Sequence, residues 1–342
     1  MPIYAKPHLS LSDQVRHLSA QGLDCDPEAS SIEALHDYGY YRLTAYTYPF
    51  RRLLLPSEPK DSAYQFRADD YLPGARLSEA AELARFDHGL RDKLFDGIAA
   101  LELALRFQIA HVLGKRNPFG HTDQASLDGR ACAEPAPHRV RARFASMFDF
   151  WIDEYGKLID RAGGEDFIRH VRAKYQGEVP VWIAVETFDF GGLARLYSLL
   201  ERYDQNLIAR RFGMSDGRQF HQWLVGLGVI RNHCAHHNRL WNRQLPHALA
   251  KIPPLTVKPD LHHLSNVAHR RKLYGWISVL AYTLRNYDNT SNWFRTIKTQ
   301  LGKFPASNFV SLSVDVGFPA GWDGESLWNG APSATRTLPT PV

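Results

Sequence analysis

The strongest constraint on the fold is a run of helical periodicity between Leu77 and Gly114. Apolar residues recur there at intervals of three and four: Phe86, Leu90, Leu94, Ile98, Leu101, Leu105, Ile109 and Val112. This spacing places them on one face of a long α-helix. Gly114 and the following Asn117-Pro118 are typical of a helix end. Because runs with a period of two are few elsewhere, the sequence predicts a mainly α protein, a helical bundle.

The remaining segments suggest three regions. We expect a small N-terminal helical module over residues 1–75 and a main helical domain over 76–300, with an inserted loop at 115–140 that is rich in proline and glycine. Residues 301–342 form a C-terminal extension. Its aromatic side chains predict that it packs back onto the body up to about Trp328, whereas the last ten residues or so are expected to be disordered.

Cysteine usage and the N-terminus point to the cytoplasm. The three cysteines, Cys25, Cys132 and Cys234, are odd in number and far apart, so they build neither a disulfide framework nor a zinc ribbon. The N-terminus lacks the apolar core of a signal peptide. The most apolar run, Leu94 to Leu113, contains two acids, an arginine and a histidine. We therefore expect a cytoplasmic protein without a membrane span.

The segment from Phe220 to Arg243 combines an apolar half with a basic, histidine-rich half. Wound as one α-helix, it has a core face consisting of Phe220, Trp223, Leu224, Leu227, Ile230, Cys234 and Trp241. A second stripe, roughly opposite Ile230, consists of Asn232, His236, Arg239 and Arg243. Because this stripe holds an amide, an imidazole and two guanidiniums but no acid, it favours an anionic ligand that requires proton transfer, of which RNA is the obvious example.

Positive charge is concentrated around this segment. Residues 201–251 contain eight basic and three acidic residues, an excess equal to the whole chain's formal net charge of +5. Such clustering is typical of a nucleic-acid site, although a solvated basic face would give the same pattern.

An aromatic cluster near the N-terminus has two interpretations. Tyr38, Tyr40, Tyr41, Tyr46 and Phe50 are interleaved with Arg42, Arg51 and Arg52. These rings could stack nucleic-acid bases, but core packing is the commoner role of such a cluster.

Arg231, Asn232 and His236 form an R-x4-H motif with asparagine directly after the arginine. This motif resembles the catalytic signature of HEPN-domain ribonucleases. The chain is also similar to the abortive-infection (Abi-like) phage-defence proteins of the AbiD and AbiF type. The sequence segments that carry this similarity are RNHCAHHNRLWNR, YGYYRLTAY, PVW with FDFGGL, and GFPAGW. The resemblance implies a HEPN-like helical bundle, a homodimer with a composite site and an endoribonuclease toxin. An inhibitory small RNA is a further partner that it implies.

The residue types suit RNA cleavage without a metal or a cofactor. Such cleavage needs a base for the 2′-OH, an acid for the leaving oxygen, a cation for the phosphorane and a fixed in-line geometry. His236 is expected to act as the general acid or base, because imidazole titrates near neutral pH. Arg231 is expected to clamp the phosphate and Asn232 to orient the groups. Arg239 and Arg243 are expected to bind the RNA backbone.

Other residues compete with these roles or support them. His237 would give an R-x5-H motif, but on a continuous helix it lies near Ile230, so we predict a packed structural histidine that supports the site. Glu102 and Arg106 form either a weak helix-surface ion pair or, as the resemblance implies, a pair that orients the catalytic groups.

Two further function classes stay open. A non-catalytic RNA-binding protein would use the same basic face. A metal hydrolase would use His233, Cys234 and His237 with a ligand from a distant segment such as His262 or His263, but no H-E-x-x-H motif is present and no metal site is predicted.

Overall fold

The fold is a mainly α-helical bundle, as the sequence predicted. The computed structural model describes residues 7–60, 62–175, 177–246, 248–270 and 272–330. The first helices and strands are α1 (Leu11–Ala20), α2 (Glu28–Tyr38), α3 (Tyr40–Thr47), β1 (Arg51–Leu53), β2 (Arg67–Tyr71), α4 (Leu77–Gly114), α5 (Gly129–Ala133) and α6 (Met147–Arg161). They are followed by α7 (Asp166–Lys174), α8 (Val181–Ala184), α9 (Phe190–Leu199), α10 (Arg202–Arg211) and α11 (Gly217–Ala235). The last helices are α12 (Val267–Arg270), α13 (Leu273–Tyr287), α14 (Trp293–Leu301) and α15 (Ser326–Asn329).

The chain divides into two compact units. Unit 1 comprises residues 1–90 and 299–316, and unit 2 comprises residues 91–298 and 317–342. The predicted domain boundaries after residues 75 and 300 stay predictions. The expected disorder of the last residues concerns positions outside the described residues.

Unit 1 is built from α1 to α3, a two-stranded hairpin and the N-terminal part of α4. The strands β1 and β2 pair antiparallel, with Arg51 opposite Tyr71. Tyr46 donates a hydrogen bond of 2.8 Å from its hydroxyl to the Asp87 carboxylate, and both side chains are buried. The ring of Phe50 packs against Phe309, with 5.1 Å between ring centroids. A segment near the C-terminus therefore returns to this core.

The structure separates the members of the N-terminal aromatic cluster. Tyr46 and Phe50 belong to the core, whereas the Tyr41 side chain is 90% exposed. Arg51 pairs with Asp69, and Arg52 pairs with Glu58 and Asp70. Core packing is thus the role of the buried members.

Unit 2 places α11 among three other helices, α9, α10 and α13. α13 is buried along nearly its whole length. Gly226 of α11 faces the Trp276 indole of α13 so closely that a Cβ at this position would lie 1.8 Å from the ring. A glycine is required at this contact, because any side chain would overlap the indole.

The C-terminal segment of unit 2 packs as the sequence predicted. Phe318 and Trp328 are buried, and the ring centroid of Tyr274 in α13 lies 4.7 Å from that of Phe318. Trp322 meets Trp328 edge to face, with 5.3 Å between ring centroids. The predicted insertion at 115–140 contains the short helix α5 and three-residue helical turns at Gln124–Ser126 and His138–Val140.

One helix in the described part of the chain, α4, is long and apolar enough to cross a membrane, despite the charges that interrupt its apolar run. Half of its most apolar window is buried inside the protein. This is weak support for a membrane span, because buried core helices share that length and composition.

Candidate active site at the end of helix α11

Helix α11 carries the first part of the motif. Asp216 caps its N-terminus by accepting a hydrogen bond of 2.9 Å from the Arg218 backbone N–H, which satisfies a donor that the first turn leaves free. The predicted apolar face is confirmed, since its members within the helix are all buried: Phe220, Trp223, Leu224, Leu227, Ile230 and Cys234. This packing fixes how Arg231 and Asn232 are presented on the last turn.

The helix ends at Ala235, so the prediction of one helix through Arg243 is wrong. The Asn238 N–H donates to the His233 carbonyl at 2.9 Å, and the His237 N–H donates to the Cys234 carbonyl at 3.0 Å. Together with the left-handed φ of 53° at His237, these bonds form a Schellman motif, which terminates helices. The predicted stripe of Asn232, His236, Arg239 and Arg243 is therefore not a helical stripe.

His237 is exposed, so its predicted place on the apolar face is wrong. The physical reason is the left-handed turn. His237 occupies the position after the helix cap that is most often glycine, where the chain reverses away from the helix axis. The buried Trp241 lies beyond this turn and confirms its predicted core role.

His236 occupies the cap position of α11 and is exposed. Its charge, together with that of Arg243, acts on the neighbouring His233. Burial is the largest effect that lowers the pKa of His233, followed by repulsion from Arg243 and then from His236. The Asn238 amide lies 3.3 Å from the His233 Nδ1 atom. Two imidazoles and one guanidinium, those of His233, His236 and Arg243, therefore lie close to one another at the end of the helix.

Arg231 lies in a different neighbourhood, beside α4. Its guanidinium carbon is 5.6 Å from the centroid of the Phe95 ring, within cation–π range. Its charge also stabilises the carboxylate of Glu102. Burial raises the pKa of Glu102, and Arg106 and Arg231 partly oppose this rise. Within the described chain, no hydrogen bond or ion pair joins Arg231 to His236.

Glu102 and Arg106 form more than a helix-surface ion pair. Arg106 donates from Nη2 to Glu102 at 2.8 Å and to the Phe188 carbonyl at 2.8 Å, and its Nη1 atom lies 3.4 Å from Glu186. Both side chains of the pair are less than a fifth exposed. The pair therefore ties α4 to the segment before α9, next to Arg231. Its predicted role in orienting Arg231 or His236 stays a prediction.

A cavity of about 440 Å³ opens beside Arg231. Its polar lining consists of Arg139, Asp189, Arg195, Ser198, His221, Arg231 and Asn232. Three arginines and one aspartate make this cavity basic. Asp189 caps α9, accepting a hydrogen bond of 2.8 Å from the Gly192 N–H. His236 is not among the lining residues.

A second cavity, of about 1030 Å³, adjoins the first and shares Met147, Ser198 and His221 with it. His221 thus faces both spaces, and burial lowers its pKa. The sequence did not predict a role in the site for His221, Arg139 or Arg195. Arg139 and Arg195 lie outside the motif segment, and His221 lies in its apolar half.

The loop after α11 is anchored at several points. The Arg91 guanidinium of α4 lies 3.4 Å from the Asn238 carbonyl, to which it donates. Arg243 is exposed and donates at 3.4 Å to the Arg239 carbonyl, and Arg239 is partly buried. Both predicted RNA-binding arginines therefore lie on the loop rather than on the helix. Their binding role stays a prediction.

No three His, Cys, Asp or Glu side chains of the described residues lie close enough together to hold a metal ion. In particular, His233 and His237 are no longer one helical turn apart on the same face, because His237 follows the helix end.

The comparison with known families adds a decisive observation. The model of the Abi-like protein family matches residues 33–242. The chain belongs to the Abi-like family. This match includes the N-terminal aromatic cluster, α4 and the segment with Arg231 and His236. No curated protein and no solved structure matches the chain. Membership of the Abi-like family suggests a role in abortive infection, a form of phage defence.

Proposed function

We propose that this Abi-like protein is a metal-independent endoribonuclease of the HEPN type, which acts as a toxin in phage defence. The observation that carries the proposal is the arrangement at the end of α11. Arg231 and Asn232 line a basic cavity, and His236 is exposed five residues after Arg231. In the proposed mechanism, Arg231 binds the scissile phosphate and stabilises its charge, Asn232 orients the reacting groups, and His236 transfers the proton.

The reaction would break the P–O5′ bond after attack by the 2′-oxygen. His236 accepts the 2′-OH proton as the 2′-oxygen attacks, and the resulting imidazolium delivers a proton to the leaving 5′-oxygen. The products are then a 2′,3′-cyclic phosphate and a free 5′-OH. The Arg243 guanidinium at the same helix end favours binding of a polyanion.

A second copy of the chain would complete the site. Within one chain, the described residues around the Arg231 cavity do not include His236. A homodimer could bring His236 of one copy to the Arg231 cavity of the other, and this composite site is our proposal. Mixing the inactive variants Arg231→Ala and His236→Ala should then restore part of the activity, because one of the two sites in a mixed dimer is intact.

The activity test uses purified protein and mixed RNA in excess EDTA. Cleavage should persist without free metal, and it should fall about 100-fold or more in Arg231→Ala and in His236→Ala. Mass spectrometry should detect the cyclic phosphate ends. Equal cleavage by the wild type and both variants would reject the assignment.

A matched pair of variants distinguishes the two adjacent histidines. His237→Gly removes the imidazole but suits the left-handed φ at this position, so the helix end is kept. If His236 carries the proton, His236→Ala loses activity and His237→Gly keeps it. The reverse result would move the role to His237.

The second candidate is a non-catalytic RNA-binding protein. It is favoured by the separate neighbourhoods of Arg231 and His236 within one chain. In that case RNA binding would depend on Arg239 and Arg243, with a steep salt dependence, whereas His236→Ala would leave RNA binding unchanged.

The endoribonuclease proposal also includes a cytoplasmic location and a small RNA that restrains the toxin. RNA that copurifies with the protein would reveal such a partner.

A further inference from the structure

The cavity beside Arg231 holds more positive charge than a single phosphate contact needs. Arg139 and Arg195 line it together with Arg231, and Asp189 is its one acidic lining residue. Arg195 is largely buried, and its nearest acid is Glu154, 3.3 Å from Nη1. Arg139 is exposed, and it forms no salt bridge with the described part of the chain.

The Arg195 guanidinium is partly desolvated and close to a second guanidinium, and the carboxylates of Glu154 and Asp189 offset this in part. Burial is the main effect that lowers the pKa of Arg195, and repulsion from Arg139 lowers it further, whereas Glu154 and Asp189 oppose the change. The Arg195 guanidinium carbon lies 4.5 Å from the centroid of the Phe150 ring, which holds the side chain in place. An Arg side chain offers five N–H donors in a fixed fork. Two such forks beside one space match the oxygens of a phosphate.

The space is large enough for one nucleotide, and it adjoins a second cavity. The volume of about 440 Å³ falls in the range of roughly 300–1,000 Å³ that is typical of small-ligand sites. Apolar side chains of Phe190, Leu224 and Val225 form part of the wall. The second cavity shares Ser198 and His221 with this one, so an RNA chain bound beside Arg231 has adjoining space for its next nucleotide.

We infer that this cavity binds the single-stranded RNA nucleotide next to the scissile linkage, with Arg139 and Arg195 holding its phosphate and the apolar wall packing its base. The inference rests on the proposed function, because it takes the linkage at Arg231 as the scissile one. It assigns Arg139 and Arg195 as substrate-binding residues. It also predicts that the enzyme binds RNA chains more tightly than free mononucleotides.

The test measures binding without cleavage. A fluorescent six-nucleotide RNA with 2′-O-methyl groups lacks the attacking hydroxyl, and its binding is followed by fluorescence anisotropy at several salt concentrations. Arg139→Ala should weaken binding about five- to tenfold. It should also reduce the slope of the logarithm of the binding constant against the logarithm of the salt concentration by about one, the value for one lost phosphate contact. Arg139→Glu should weaken binding further. Arg195→Lys, which keeps the charge but loses the fork, should have an intermediate effect.

The control is Arg169, an exposed arginine of α7 that lines neither cavity. Arg169→Ala and Arg169→Glu change the net charge by the same amounts as Arg139→Ala and Arg139→Glu, and they should leave binding within twofold of the wild type. Equal effects at positions 139 and 169 would mean a non-specific charge effect and would overturn the inference. A free mononucleotide that competes as well as the six-nucleotide RNA would overturn it too, in favour of a small-molecule site.

Cleavage assays separate this inference from the proposed function. If the wild type cleaves RNA and the variants at position 139 bind and cleave normally, the ribonuclease stands and the subsite is wrong. If the wild type binds RNA through Arg139 but never cleaves it, the subsite stands and the ribonuclease is wrong. If the wild type does not bind the six-nucleotide RNA, the inference fails.

Discussion

Substitution of Gly226 by alanine tests the packing that positions α11. An added Cβ would lie 1.8 Å and 2.2 Å from two ring carbons of Trp276, which is 3% exposed. Carbon atoms normally meet at about 3.5–4.0 Å, so α11 or the indole must shift by almost 2 Å. Overpacking of this kind costs about 1–3 kcal/mol, and a rigid buried ring favours the upper end. Alanine regains about 1 kcal/mol of helix propensity. The expected net loss in the free energy of unfolding is about 2 kcal/mol.

Gly228, two residues further along the same helix, is the matched control. A Cβ there would meet the Phe190 ring at 3.4 Å, an ordinary contact. Gly228→Ala should therefore gain about 1 kcal/mol from helix propensity alone. Both glycines lie within α11, so the propensity term is shared and the difference of about 3 kcal/mol reports the contact with Trp276.

Thermal unfolding followed by far-UV circular dichroism measures the difference. For a unit of this size, 1 kcal/mol corresponds to about 2–4 °C in Tm. Gly226→Ala should thus lower Tm by about 4–8 °C, and Gly228→Ala should raise it by about 2–4 °C. A Gly226→Ala variant at least as stable as the wild type would refute the close approach of α11 and α13.

Three further outcomes are expected. Burial lowers the pKa of His121 to about 4 in the folded protein, whereas the unfolded state keeps the ordinary pKa of 6.5. Between these pH values the unfolded state binds one more proton, so the free energy of unfolding should fall by roughly 3 kcal/mol as the pH falls from 6.5 to 4. In His121→Phe, the free energy of unfolding in urea should depend less steeply on pH across this range. Glu102→Gln should reduce RNA cleavage about tenfold or more, because Arg231 loses a neighbouring charge that helps to hold it, and it should lower Tm, because Arg106 loses its carboxylate partner; unchanged cleavage below Tm would show that Glu102 has no orienting role. Tyr46→Phe should lower the free energy of unfolding by about 1–3 kcal/mol, because it removes a buried hydrogen bond to the ionisable Asp87 carboxyl, and urea midpoints would check this.

The sequence was sufficient for the long helix and for the apolar face of α11. The periodic residues between Leu77 and Gly114 allow one helix, and the glycine marks its end, so α4 spans the stretch that the pattern indicated. The buried face of α11 follows from the same rule, since each member returns to one side after three or four residues.

The end of α11 was not predictable from the same rule. Schellman motifs usually place glycine in the left-handed position, and this chain places His237 there. With no glycine and a continuing apolar-basic pattern, the sequence favours a helix through Arg243. The basic cavity was equally hidden. Arg139 lies in a helical turn of the loop region and Arg195 lies on α9, so only the tertiary fold brings them beside Arg231.

The geometry of the last turn of α11 explains how a short motif can serve two neighbourhoods. On a continuous helix, five residues correspond to a rotation of about 140°, which would fix Arg231 and His236 on nearly opposite sides. His236, at the cap, still donates its N–H to the Asn232 carbonyl as in a helix, so this separation is kept, and the chain reverses only at His237. The following turn brings Arg243 close enough to lower the pKa of His233, while Arg231 stays beside Glu102. The basic cavity beside Arg231 and the exposed His236 imidazole are therefore separate surfaces, and the proposed composite site requires such surfaces if two copies are to complete each other.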